Sequence, residues 1–155
     1  MRHFLVLLAL MATLVVQGCE SIKHPTESGD VQLVKTGTLP FDKSLTVGQA
    51  IDNYKYFKSV RWESSKTENG RRIVQAIAVV DLDKHPTINT TKIPLAKEVQ
   101  FQFRFVINVD KTFEFDWAGV RTERTDGTVH EPDQKAQAAQ WMHTLKAIYA
   151  NSPDI

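Results

Sequence analysis

Residues 98–109, EVQFQFRFVINV, are the stretch that most limits how this chain can fold. Val99, Phe101, Phe103, Phe105, Ile107 and Val109 fall on one side, and Gln100, Gln102, Arg104 and Asn108 on the other. Side chains alternate with a period of two along extended backbone and 3.6 along a helix, so only a strand aligns the aromatic set. One face is then buried and the other at least partly wet, the condition of an antiparallel sheet covered on one side. After a turn at Asp110-Lys111, Phe113, Phe115 and Trp117 repeat the alternation against Glu114 and Asp116. This predicts a hairpin.

A second hairpin is predicted upstream. Val60 and Trp62 alternate with Arg61 and Glu63, Asn69-Gly70 suits a turn with positive φ, and the apolar run 73–80 reads as a central strand. Residues from Val31 suggest a further strand ending at Gly37–Pro40. Val47, Ala50, Ile51 and Tyr54 recur at helical spacing, giving a helix over 46–56 capped by Ser44 or Thr46. Gly48 costs that helix about 1 kcal/mol relative to Ala. Residues 83–96 form a long polar connection. The chain closes with a helix from about Pro132 or Asp133, its stripe made by Ala138, Trp141, Met142, Leu145, Ile148 and Tyr149 and its end marked by Asn151 and Pro153.

The expected fold is therefore α+β: an antiparallel four- to five-stranded meander covered on one face by an N-terminal and a C-terminal helix. It resembles cystatin-like folds in outline, an architectural likeness that implies no activity. Trp62, Trp117 and Trp141 all fall at positions expected to face the core. With 155 residues, 42% hydrophobic and 24% charged, the chain suffices for one globular domain.

The N-terminus follows a different logic. MRHFLVLLALMATLVVQGC has a basic start at Arg2, an apolar run from Phe4 to Val16 and Gly18 before the only cysteine. That order is the order of an export signal, and the run is shorter than the ~20 residues a membrane-spanning helix needs. VQGC at residues 16–19 resembles the lipobox of bacterial lipoprotein precursors, with Gln17 where a small residue is usual. The resemblance implies cleavage after Gly18 and acylation of Cys19. It also implies, from Glu20, sorting to the outer membrane. The domains expected are a signal peptide at 1–18, a lipidated tether at 19–30 and a single α+β domain at 31–155. Extended, a tether of that length spans roughly 35 Å.

Removing Arg2, the one charged residue of the signal, leaves 18 basic against 18 acidic side chains. Such a balance lacks the basic excess that phosphate-backbone binding uses, so nucleic acid is not expected as a partner. No phosphate-binding glycine loop, nucleophile elbow, zinc-protease motif or cysteine pair is present. His24, His85, His130 and His143 are too scattered in sequence to suggest a metal site. Neither a cofactor, a metal nor catalysis is expected.

Two candidate binding regions remain. Arg61, Glu63, Gln100, Gln102, Arg104, Glu114 and Asp116 share the polar sheet face, and His85 and Pro86 lie in the 83–96 connection. Arg121 and Arg124 are expected at a solvated strand end. The expected protein is a membrane-anchored bacterial envelope lipoprotein, held by its N-terminal lipid and facing the periplasm. Its domain would be a non-catalytic binding or assembly module with an envelope protein as partner. The alternative is an inhibitor or immunity-type lipoprotein that blocks an envelope-attacking enzyme.

Overall fold

The computed structural model describes residues 28–88, 95–132 and 138–155. The signal peptide, Gly18, Cys19, His24 and the tether up to residue 27 lie outside the described residues. So do 89–94 of the long connection and 133–137, where the last helix is expected to start.

The elements run α1 (Gly29–Thr36), α2 (Val47–Asp52), β1 (Phe57–Lys66), β2 (Arg72–Val80), β3 (Ala96–Ile107), β4 (Phe113–Arg124), β5 (Val129–His130) and α3 (Ala138–Tyr149). The strands form one antiparallel sheet in the order β1-β2-β3-β4-β5. The protein is thus an α+β meander, as the alternation in the sequence predicts. β2 is internal, which explains why both of its faces are apolar. The fifth strand is Val129–His130 rather than the segment beginning at Val31.

That segment is α1, a correction to the expected strand. Ser28 caps it by accepting a hydrogen bond from Val31 N, Asp30 sits in its first turn, and Val31 and Val34 bury one turn apart. Ser28, Gly29 and Asp30, counted by sequence as tether, therefore belong to the folded domain. Asp30 also pairs with Arg72 at the start of β2.

α2 is shorter than the predicted 46–56. Thr46 and Gln49 form a reciprocal capping box at its start, and it ends at Asn53. Gly48 has a reason to be glycine: an added Cβ would stand 2.9 Å from the Lys35 carbonyl oxygen of α1. α3 ends as the sequence suggests. Asn151, at φ 52°, takes the left-handed position, and the amides of Asn151 and Ser152 return to the carbonyls of Ile148 and Ala147.

All three helices lie on one face of the sheet. Val31, Val34, Val47, Ile51, Leu145 and Ile148 pack with Val74, Ala76, Ala78, Phe101, Phe103 and Phe105 in a single core. Burial of this apolar area, at about 25 cal/mol per Å², holds the two layers together. Trp62 joins the core from the β1 margin, where its Nε1 donates to Asp52 at 2.7 Å.

Three hairpin turns share one construction, at residues 67–71, 108–112 and 124–128. In each, the first amide donates to the fifth carbonyl and the fourth amide donates back to the first carbonyl. The fourth residue has positive φ in every case: Gly70, Lys111 and Gly127. The first two turns lie at the pole where α1 begins, and the third lies at the opposite pole with the β2–β3 connection.

Candidate functional site

Strand register decides which side chains share the face opposite the helices. Four rows cross it: Ser59–Val79–Gln100–Arg121, Arg61–Ile77–Gln102–Gly119, Glu63–Gln75–Arg104–Trp117 and Ser65–Ile73–Val106–Glu114. Six of the seven face residues named from sequence meet here. The seventh, Asp116, reaches the same group from a bulge, accepting from Arg104 Nε at 2.7 Å.

Sequence periodicity missed the residues of β2. Ile73, Ile77 and Val79 are half-buried and lie beside the buried Val106, so an apolar strip runs through the polar surface. The apolar-on-both-faces character of β2 was the signal for it. Amide groups line the strip: Gln75 Nε2 donates to Gln102 Oε1 at 3.0 Å, and Gln100 Nε2 donates to Glu98 Oε1 at 2.6 Å. Arg61 and Glu63 are exposed and ion-paired on β1.

Trp117 is on this face, not in the core as its position in the alternation predicts. Phe105 pairs with Phe115 while Arg104 pairs with Trp117, so β4 has one extra residue, Asp116, between them. A bulge of one residue exchanges the faces of everything after it. Trp117 is nevertheless only 2% exposed. The Arg104 guanidinium lies 5.1 Å from its ring centroid, a cation–π arrangement. Gly119 leaves room for the indole, since a Cβ there would stand 2.6 Å from Trp117 and 2.4 Å from Pro132. The indole thus forms a fixed floor under Arg104.

The predicted loop candidates separate. Pro86 is exposed, but His85 is 2% exposed and does structural work, a correction to its expected place on a binding loop. Its Nδ1 accepts from the amides of Ile88 at 3.0 Å and Thr87 at 3.3 Å, and Tyr56 packs 4.8 Å from its ring. His130 and His143 are exposed. Among the described residues no three His, Cys, Asp or Glu side chains gather closely enough to hold a metal ion.

Arg121 lies on the open face, paired with Glu131 at 3.3 Å and Glu123 at 3.7 Å. Lys97 binds Glu123 at 2.6 Å, which holds the glutamate below the usual carboxylate range. At the other pole, hydrogen bonding from Arg72 does the same for Asp30. Burial pushes the hydroxyls of Tyr54 and Tyr149 up. Tyr54 donates to the Ser152 carbonyl at 2.7 Å, tying α2 to the C-terminus.

The face combines donors, acceptors and both signs of charge around an apolar strip on a rigid sheet. This chemistry suits recognition of a surface. Among the described residues no helix is long and apolar enough to cross a membrane. Comparison with protein-family models, with curated proteins and with solved structures finds no match. The fold and the face thus define a class, a small α+β domain with one half-wet sheet surface.

Proposed function

We propose that the protein is a lipid-anchored bacterial envelope lipoprotein whose domain binds an envelope protein through the open face of its sheet. The observation that carries this reading is the VQGC motif at residues 16–19, which contains the only cysteine of the chain and ends an export-type apolar run. Acylation gives that cysteine a use, since a lone exported cysteine has no intramolecular partner. More than one acyl chain is needed for firm attachment, and lipoprotein processing supplies them.

Glu20 favours the outer membrane, with the domain facing the periplasm. The binding role is supported by the face of Arg61, Glu63, Gln100, Gln102, Arg104, Glu114 and Asp116, together with the apolar strip of β2. No cofactor or catalytic step enters the reading.

In-cell crosslinking from a photoreactive residue at Ile77, with native Cys19 and with Cys19→Ala, tests it. Specific crosslinks to one envelope protein that weaken when the anchor is lost are expected. Mass spectrometry showing an unmodified Cys19 thiol and an intact leader would overturn the reading. Sensitivity of a deletion strain to one lytic enzyme alone would favour an inhibitor.

A further inference from the structure

The membrane and the open face are not the only surfaces this geometry relates. The described chain begins at Ser28, whose Oγ donates to Ser64 Oγ at 2.7 Å near the end of β1, while Asp30 holds Arg72 at the start of β2. The tether therefore joins the domain at the pole formed by turns 67–71 and 108–112. Eight residues lie between Cys19 and Ser28, a reach of at most about 30 Å. The tether's point of attachment is thus at this pole, which a short tether brings within reach of the anchoring lipid.

Three features of the pole fit a phospholipid surface. Val109, at the tip of the 108–112 turn, is fully exposed at 104% and so is free to enter an apolar phase. Between the two turns lies a shallow cleft of about 490 Å³, lined by Asn69, Arg71, Arg72, Ile107, Asn108 and Val109 among others. Amide and guanidinium groups thus sit beside aliphatic ones, as they must at the junction of headgroup and acyl chain.

The charges complete the pattern. Among the described residues Arg71 and Lys111 form no salt bridge, and neither does Lys66, whose charge acts at longer range on Asp30, although Glu68 and Asp110 lie on the same turns. Asp110 is exposed and accepts within its own turn from Thr112 N at 3.0 Å and Thr112 Oγ1 at 2.6 Å. At the opposite pole Lys84 is paired with Asp81 and Lys97 with Glu123. Lys58 and Arg124 at that opposite pole are likewise in no salt bridge among the described residues, so it is nearness to the tether that singles out the cations of this one.

We infer that this pole docks on the anionic phospholipid surface that anchors the protein, with Val109 entering the interface and the cleft around Arg71 taking a lipid phosphate. The inference rests on the lipoprotein reading of Cys19. It deepens that reading by giving the domain an orientation, with strands upright and the open face turned sideways toward neighbouring proteins. A short tether makes docking intramolecular, so contacts too weak to recruit a free protein suffice.

The test uses acylated protein carrying V109C, labelled with an environment-sensitive nitrobenzoxadiazole and reconstituted in phosphatidylcholine vesicles with or without phosphatidylglycerol. With Cys19 acylated, the new thiol is the only one. A blue-shifted, brighter emission that requires phosphatidylglycerol is expected at V109C, and none at D83C on the opposite pole. R71E should lower the docked-to-undocked ratio about fivefold or more, since each surface charge contributes on that scale at an anionic leaflet.

Aqueous emission from V109C in both vesicle types, with acylation of Cys19 established by mass spectrometry, would overturn the docking and leave the anchor standing. An unmodified Cys19 thiol would remove both. Reversal of the shift by millimolar inorganic phosphate would assign the cleft to free phosphate and reject the membrane surface.

Discussion

Lys111 occupies a backbone position that two glycines occupy elsewhere in the molecule. Its φ of 64° matches Gly70 and Gly127 at 79° and 84° in turns of the same hydrogen-bond pattern. Left-handed backbone is disfavoured for residues with a Cβ, by roughly 1 kcal/mol. Lys111→Gly is therefore expected to stabilise the domain by about 0.5–1 kcal/mol, and Gly70→Ala to destabilise it by about 1 kcal/mol. Urea unfolding of the three proteins checks both signs.

Asp30 sets a pH dependence at the same scale. Its carboxyl is held below the usual range, chiefly by hydrogen bonding from Arg72 and also by the charges of Arg72 and Lys66. A depressed folded-state value means that the stabilisation is present above the unfolded value near pH 4 and disappears as pH falls through the folded one. Thermal melts from pH 6 down to pH 2 should show a loss of stability that Asp30→Asn makes shallower. A variant with the wild-type profile would show that the pair contributes nothing measurable.

Elements were legible in the sequence in proportion to how much of their pattern is local. The hairpins of β1–β2 and β3–β4 announce themselves because strand periodicity and turn residues agree over long stretches. α1 does not, since Val31 and Val34 are β-branched and its helical state depends on the Ser28 cap and on burial against the sheet. β5 has only two residues, too few to display any period. The polar face was legible except where the single-residue bulge at Asp116 moved Trp117 onto it, because nothing in the alternation signals an inserted residue. The apolar strip of β2 was visible as composition but not as part of a site.

The connection after β2 carries an elemental prediction of its own. His85 Nδ1 receives two amides in a buried turn, so His85→Ala leaves those donors without their acceptor and should destabilise by about 1–3 kcal/mol. His85→Asn, which presents a carbonyl oxygen close to the same place, should recover part of the loss. Equal destabilisation by both variants in denaturant titrations would assign the effect to ring packing against Tyr56 instead.

At the scale of the whole molecule, the two faces of the sheet differ in chemistry. One is consumed by α1, α2 and α3, while the other retains charged and amide groups that the core does not need. Arg61→Glu combined with Gln102→Glu removes a surface ion pair and places an acid at a half-buried amide position, and is expected to cost about 1 kcal/mol per site, well short of unfolding the domain. The same pair should suppress crosslinking from Ile77. Circular dichroism and crosslinked yield, measured on the same variant, distinguish a lost surface from a lost fold.

β1 forms the long outer margin of the sheet, ten residues with Lys58, Arg61 and Lys66 exposed along it. Proteins confined to a two-dimensional film meet one another far more often than the same number in free solution. Margins that zip together would then build ribbons, and repeated cationic side chains along a rim are a known defence against this. Anchored as proposed above, copies of this chain would meet rim to rim, and the cations along β1 would oppose their zipping together.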